Sequence, residues 1–261
     1  DEKENIQDGS FDGKTKEIGT VEFRNVSFKY PDGDDYVIKN ISFKAEKGET
    51  IAFIGATGCG KSTLINLCMR LYDPGIGKIT IGGVDIKDIP QKELRDNIGV
   101  VFQETFLFSG SIYENIAYAR ANASYDEVIA AAKAANAHEF IVRQPDGYDS
   151  MLGERGVGLS GGERQRVSIA RAMLRNPKML VFDEAPASVD SETEHLIQEA
   201  IERLIAGRTT IMIAHRLSTV RNSDAIMVLE AGEIIERGTH EQLLEMKGRY
   251  YELYTGKREL D

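Results

Sequence analysis

Gly55-Ala-Thr-Gly-Cys-Gly-Lys-Ser62 has the residue types and spacing to hold a phosphate, fitting G-x-x-x-x-G-K-[ST]. Its glycines let the backbone curl until several N–H groups face one point. Ahead of it, Thr50-Ile-Ala-Phe-Ile54 is an apolar, β-branched run that reads as a buried strand. Behind it, Lys61 to Tyr72 carries Leu64, Leu67, Cys68 and Leu71 at helical spacing. A helix starting there adds the positive end of its dipole to the amides. Lys61 would then reach the β- and γ-phosphates of a nucleotide, and Ser62 would offer its hydroxyl to Mg2+. A chance match turns up in about one chain in a hundred of this length. The flanking strand and helix lower that further.

Other candidates stand at the ends of other apolar runs. Met179-Leu-Val-Phe182 leads into Asp183 and Glu184. An acid at a strand tip beside a phosphate loop positions Mg2+ and its waters, which suits Asp183. Glu184, one residue on, points elsewhere and suits polarising an attacking water. Taken without the loop, two solvated acids at a strand end are common. His215 follows the run Thr209 to Ala214 and reads as a donor to the γ-phosphate or the water, or as an ordinary strand-terminal histidine. Gln103 follows Ile98 to Phe102; its amide binds Mg2+ or water, or simply faces solvent. Leu159-Ser-Gly-Gly-Glu163 opens a helix on Gly161 and Gly162, so amides and dipole face outward as at an anion site. Nothing nearby supplies a lysine like Lys61, so this stretch completes a pocket elsewhere or is a plain loop-to-helix junction.

The elements that must position these residues alternate between strand and helix. Val21 to Tyr30 and Tyr36 to Lys44 read as strands around the turn Pro31-Asp-Gly-Asp-Asp35, and Gly77 to Gly83 as a hairpin. From Glu104 to Arg175 the texture changes to helices, Tyr125 to Phe140 and Gly162 to Leu174. That stretch reads as an inserted helical lobe. Strands then return at Met179 to Phe182, Thr209 to Ala214 and Ala225 to Leu229, with a helix over Glu192 to Ile205 and a last one over His240 to Tyr254. Such alternation implies a mainly parallel sheet, whose ligands sit at strand carboxyl ends.

The 261 residues, 41% hydrophobic and 28% charged, are those of an ordinary globular chain. A net charge of -10 argues against a nucleic-acid-coating surface, and no nucleic-acid partner is expected. No apolar run is long enough to cross a bilayer, and no secretory h-region is visible. Cys59 and Cys68 fit neither a metal spacing nor a disulfide framework, so a reducing setting is expected.

Gly55 to Ser62, Gln103, Leu159-Ser-Gly-Gly-Glu163, Asp183-Glu184 and His215 resemble, in order and spacing, an ATP-binding cassette domain over about residues 20 to 255. Gln103-Glu-Thr-Phe-Leu-Phe-Ser-Gly-Ser-Ile112 and Gly153-Glu-Arg-Gly156 resemble more narrowly the cassette of an exporter. The resemblance implies a P-loop NTPase core with an antiparallel β subdomain and an inserted α-helical subdomain at about 104–175. The cassette would span 19–256, between a linker or mobile lead-in at 1–18 and a tail at 257–261. It implies ATP hydrolysis with Mg2+, with Lys61, Gln103, Glu184 and His215 as catalytic residues. Nucleotide contacts would come from Tyr30 (stacking on adenine), Gly55, Ala56, Thr57, Gly58, Cys59, Gly60, Lys61, Ser62, Thr63, Gln103, Ser160, Gly161, Gly162 and Asp183. Ser62, Gln103 and Asp183 would hold the metal.

Two such cassettes, identical or different, would dimerise head to tail around ATP. They would drive a transmembrane partner from the cytoplasmic side of a membrane, the domain by itself being soluble. One departure from the pattern is Pro186, where the family usually has threonine. Proline fixes φ and removes an N–H in the loop running to Asp190. A cassette ATPase acting on nucleic acid or ribosomes is the alternative. Such proteins usually carry coiled-coil insertions, zinc sites or a tandem cassette.

Overall fold

The computed structural model describes residues 6–11, 19–102, 105–184, 189–215 and 217–256. Gln103, Pro186, most of the 1–18 lead-in and the 257–261 tail lie outside the described residues. The chain divides into two units. Asp1–Ile98, Lys178–Glu184 and Gly207–Asp261 form the first; Gly99–Pro177 and Ala185–Ala206 form the second. Among the described residues no helix is long and apolar enough to cross a membrane.

The first unit opens with β1 (Val21–Phe28), β2 (Ile38–Ala45), β3 (Thr50–Ile54) and α1 (Lys61–Cys68). β4 (Ile76–Ile81), β5 (Val84–Asp85) and α2 (Gln91–Asn97) follow, and β6 (Ile98–Val101) carries the chain onward. β2, β1, β4 and β5 pair in that order as an antiparallel sheet. Val21, Phe23, Val26 and Phe28 face its buried side, and Phe23 stacks on Phe43 at 4.6 Å. Alternation fails at Arg24 and Asn25, both exposed, because the register shifts between Phe23 and Val26. Asn25 and Asn40 take φ of 47° and 49° at this bulge, a region that asparagine tolerates, and their side chains are joined by a 2.9 Å hydrogen bond.

In the second unit β7 (Gly110–Ser111) pairs with β8 (Met151–Leu152), and between them come α3 (Ile112–Ala117), α4 (Tyr125–Ala134) and α5 (His138–Val142). α6 (Gly161–Arg175) packs on α3 and α4. The chain returns to the first unit for β9 (Met179–Asp183), and α7 (Ser191–Ile205) lies against α6 in the second. Ser111, Ser124 and Ser160 each cap a helix, with Glu114, Glu127 and Glu163 three residues on completing a capping box.

The expected helix over Tyr125 to Phe140 is two helices. Asn136 between them takes φ 54°, ending α4, and its side-chain amide donates to the Leu196 carbonyl at 2.9 Å. Competing tertiary hydrogen bonds thus outweigh the continuous alanine-rich pattern.

Back in the first unit come β10 (Thr209–Ile213), α8 (Leu217–Val220), β11 (Ala225–Glu230), β12 (Glu233–Gly238), α9 (His240–Met246) and α10 (Arg249–Tyr254). Here too one expected helix is two. Lys247 turns left-handed at φ 51°, and the Glu236 carboxylate accepts the Arg249 and Tyr250 amides at 2.5 and 3.0 Å, starting a new helix. A larger sheet contributes β12, β11, β3, β10 and β9 in that order, with β11, β3, β10 and β9 parallel. Every residue of β3 and β10 is buried, as continuous apolar runs in a parallel sheet require. The expected α/β class, with its antiparallel β-sheet and helical elements, is the observed one.

Candidate functional site

Register aligns the candidates of the first unit along one edge of the parallel sheet. Ile213 lies opposite Asp183 on one side and Phe53 on the other. The Glu184 amide donates to the Ile213 carbonyl at 2.9 Å and the Ala214 amide to the Phe53 carbonyl at 3.1 Å. Gly55, Glu184 and His215 therefore leave three neighbouring strands at the same carboxyl edge, where α/β sheets bind ligands.

The phosphate loop is seated tightly at that edge. A Cβ on Gly55 would stand 2.2 Å from the Leu229 carbonyl oxygen and 2.7 Å from Cys59 Sγ, so only glycine fits. Gly60 caps α1 at φ 110°. Lys61 is 7% exposed, and its ammonium donates to the Gly55 and Ala56 carbonyls at 2.5 and 2.9 Å. Its charge is thus held at the loop by backbone carbonyls. Thr57, Gly58 and Ser62 are exposed, and Thr63 is buried. A loop holding a buried ammonium at a helix start is suited to a polyanion.

Asp183 is half-buried. Burial pushes its carboxyl above the ordinary range, while the His215 and Lys61 charges pull it back. A cation set beside it would favour the ionised form further. Glu184 is fully buried. Its Oε2 accepts the His215 amide at 2.9 Å and its Oε1 accepts the Thr219 hydroxyl at 2.5 Å. Sequence reasoning missed Thr219, because the two partners lie 35 positions apart with no local pattern joining them.

Tyr30 sits just past β1 with its ring edge-on to Phe28 and Tyr72, at 5.0 and 5.1 Å. Its hydroxyl is tied to α1 by Thr63 Oγ1 at 2.9 Å and by the Asn66 amide at 3.2 Å. Beside it lies a cavity of about 630 Å³, lined among others by Lys29, Pro31, Tyr36 and Tyr72. The phosphate loop is not part of its wall. Ile6 is, and Arg70 in the same wall donates to the Gln7 carbonyl at 2.7 Å. Residues from the expected lead-in are thus hydrogen-bonded to this unit.

Ser160, Gly161 and Gly162 belong to the second unit. The Ser160 hydroxyl accepts the Glu163 amide at 3.2 Å, and the Glu163 carboxylate accepts the Ser160 amide at 2.8 Å. Ser160 and Gly161 are exposed, whereas Gly162 is buried: a Cβ there would meet Thr193 Cγ2 at 2.4 Å. Gln103 lies outside the described residues.

Among the described residues no three His, Cys, Asp or Glu converge as a metal cluster. The candidate metal ligands are instead a hydroxyl, an amide and one carboxylate, all oxygen donors of the kind a hard cation prefers.

Known proteins are similar to this chain in sequence and fold. The family described as ABC transporter matches residues 38–187. A putative multidrug export ATP-binding/permease protein (YgaD) of Bacillus subtilis is 50% identical over 237 residues, 91% of this chain and 41% of that protein. An ATP-dependent lipid A-core flippase of Syntrophus aciditrophicus is 53% identical over 234 residues, 90% of this chain and 39% of that protein. The chain therefore spans about two fifths of the length of these relatives. A solved bacterial Atm1-family ABC exporter with ATP bound superposes with a TM-score of 0.87 at 44% identity, covering 98% of this chain and 44% of that one. These relatives are exporters, which leaves the alternative of a cassette acting on nucleic acid or ribosomes without support. The chain belongs to the ABC transporter family, as an exporter-type ATP-binding domain and P-loop ATPase.

Proposed function

We propose that this domain is the 19–256 cassette of an exporter, and that it dimerises head to tail with a second cassette around MgATP. That cycle would power movement of a substrate through a transmembrane partner, with the cassettes on the cytoplasmic side. The observation that carries the reading is the shared edge where Gly55, Asp183, Glu184 and His215 leave neighbouring parallel strands.

In this reading the phosphate loop, Gly55 to Thr63, cradles the phosphates, and Lys61 turns its ammonium from the Gly55 and Ala56 carbonyls to phosphate oxygens. Tyr30 offers its ring to adenine. Ser62, Asp183 and Gln103 would hold Mg2+, which supplies charge against that building up on the phosphates. Glu184 polarises the attacking water and His215 donates a hydrogen bond to the water or the γ-phosphate. Ser160, Gly161 and Gly162 present a capped helix start to the partner cassette's nucleotide. Catalysis is then positioning and charge neutralisation, with little covalent chemistry for the protein to do.

Glu184→Gln tests the central assignment. It keeps the shape and an oxygen to accept the His215 amide while removing the charge. MgATP binding should stay near that of the parent, turnover should fall by about 10²-fold or more, and a nucleotide-filled dimer should accumulate on size exclusion. Steady-state phosphate release within a few-fold of the parent would sink the assignment.

A further inference from the structure

The capping box that starts α6 closes on itself, since Ser160 and Glu163 each accept the other's backbone amide. Such a cap sets where a helix begins, not where the helix is placed. Placement comes from two other contacts. Gly162 is pressed onto α7, where an added Cβ would meet Thr193 Cγ2 at 2.4 Å and Ile197 Cδ1 at 3.5 Å. The second contact is Arg166, one turn along α6 and only 7% exposed. Its Nε donates to the Gly162 carbonyl at 3.3 Å and its Nη1 to the Asn136 carbonyl at 2.9 Å. The guanidinium carbon lies 4.9 Å from the centre of the Phe140 ring on α5. Burial lowers its pKa, and the Glu163 and Asp190 charges oppose that. One planar group therefore joins the first turn of α6 to the junction where α4 ends and α5 begins. That junction is itself fixed to α7: Asn136 donates to the Leu196 carbonyl at 2.9 Å, and Arg203 donates to Asn136 Oδ1 at 2.8 Å.

We infer that Arg166 is a positioning residue for the nucleotide pocket shared by two cassettes. Its guanidinium ties the first turn of α6 to the α4–α5 junction, and so holds Ser160, Gly161 and Gly162 where they meet the partner cassette's nucleotide. This rests on the shared pocket proposed above. Backbone amides and a helix dipole act over short distances, so a small shift of the helix start costs much of their hold on an anion. The lesion from losing Arg166 falls in the pocket its chain lends to the partner, not in the pocket founded by its own phosphate loop.

Arg166→Met keeps most of the stem and removes the guanidinium. Two covalently linked dimers of this chain separate positioning from general stability. In the trans dimer one copy carries Lys61→Ala and the other Arg166→Met, so both lesions share a pocket and its twin is intact. In the cis dimer one copy carries both, so each pocket has a lesion. The probe is Mg2+ with a radiolabelled, slowly hydrolysed γ-thiophosphate analogue of ATP, counted after rapid desalting. The trans dimer should retain one nucleotide, and the cis dimer about tenfold less or lower. The unlinked Arg166→Met chain should bind MgATP within about twofold of the parent. Melting temperatures are measured beside the counts. If methionine lowers stability, Arg166→Lys takes its place; it keeps a charge but loses the planar fork, so the same cis–trans difference is expected.

Ser160→Arg, placed in the same two arrangements, reports on the shared pocket itself. Equal retention by the cis and trans Arg166 dimers, beside a clear difference for Ser160→Arg, overturns the positioning role and leaves Arg166 as an ordinary stabilising side chain. No cis–trans difference for Ser160→Arg removes the shared pocket, and the role of Arg166 with it.

Discussion

Cys59 shows how much one side chain's surroundings decide. Its sulfur is buried within the phosphate loop, 3.7 Å from the Lys61 ammonium and close enough to Gly55 to forbid a Cβ there. Any adduct on it must push the loop open. A maleimide should therefore block MgATP binding, saturating MgATP should slow the labelling, and Cys59→Ala should bind nucleotide and resist the reagent. Cys68 is the internal control: burial pushes its thiol up to about 12, so it should stay unlabelled in the folded chain. Mass spectrometry of labelled peptides reads both positions. Equal labelling of Cys59 with and without nucleotide would remove it from the phosphate site.

Asn136 carries the corresponding argument at the level of an element. It ends α4 in a left-handed conformation and spends its amide on Leu196 and Glu199 of α7, at 2.9 and 3.1 Å. Two substitutions separate backbone from side chain. Asn136→Gly and Asn136→Ala both lose the hydrogen bonds, but only alanine also suffers the left-handed backbone, for about 1–2 kcal/mol more. Both should lower the melting temperature, alanine by several degrees more than glycine, with MgATP affinity unchanged. Equal losses would show that the backbone conformation is not what breaks the helix. The break escapes sequence reading because its partners lie 60 and 63 positions away, while the local pattern favours helix throughout. The capping boxes at Ser111, Ser124 and Ser160 are the opposite case, since both partners lie within four residues and can be read directly.

At the scale of the whole molecule the proposed composite pocket makes a strong demand. Lys61 belongs to one unit and Ser160 to the other, nearly a hundred positions later. If each pocket takes its loop from one cassette and its signature from the other, Lys61→Ala and Ser160→Arg in a mixed dimer fall in the same pocket and leave its twin intact. Mixing the two inactive variants should then restore ATP hydrolysis, and a covalently linked heterodimer should trap nucleotide at one site. No trapped nucleotide in either preparation defeats the arrangement. Ser160→Arg also removes a helix cap, costing about 1 kcal/mol, so its melting temperature must be checked before the rates are compared.

The sequence determined whatever depends on neighbours along the chain. Gly55 to Ser62 between an apolar strand and a helix marked the candidate phosphate site, because loop, strand and helix start are contiguous. The apolar runs ending in Asp183, Glu184 and His215 marked candidates, since a buried parallel strand leaves its functional residue at its tip. Their identification as a cassette came from resemblance of the combined motifs, not from any one spacing. Only the tertiary structure decided which tips adjoin: β10 between β3 and β9 aligns Phe53, Ile213 and Asp183 across 160 positions of chain. It also decided that Glu184 faces Thr219 and the His215 amide, and that Tyr30 is tied to Thr63 and Asn66. Sheet order and side-chain direction are set by packing among distant segments, and local propensity holds no record of them.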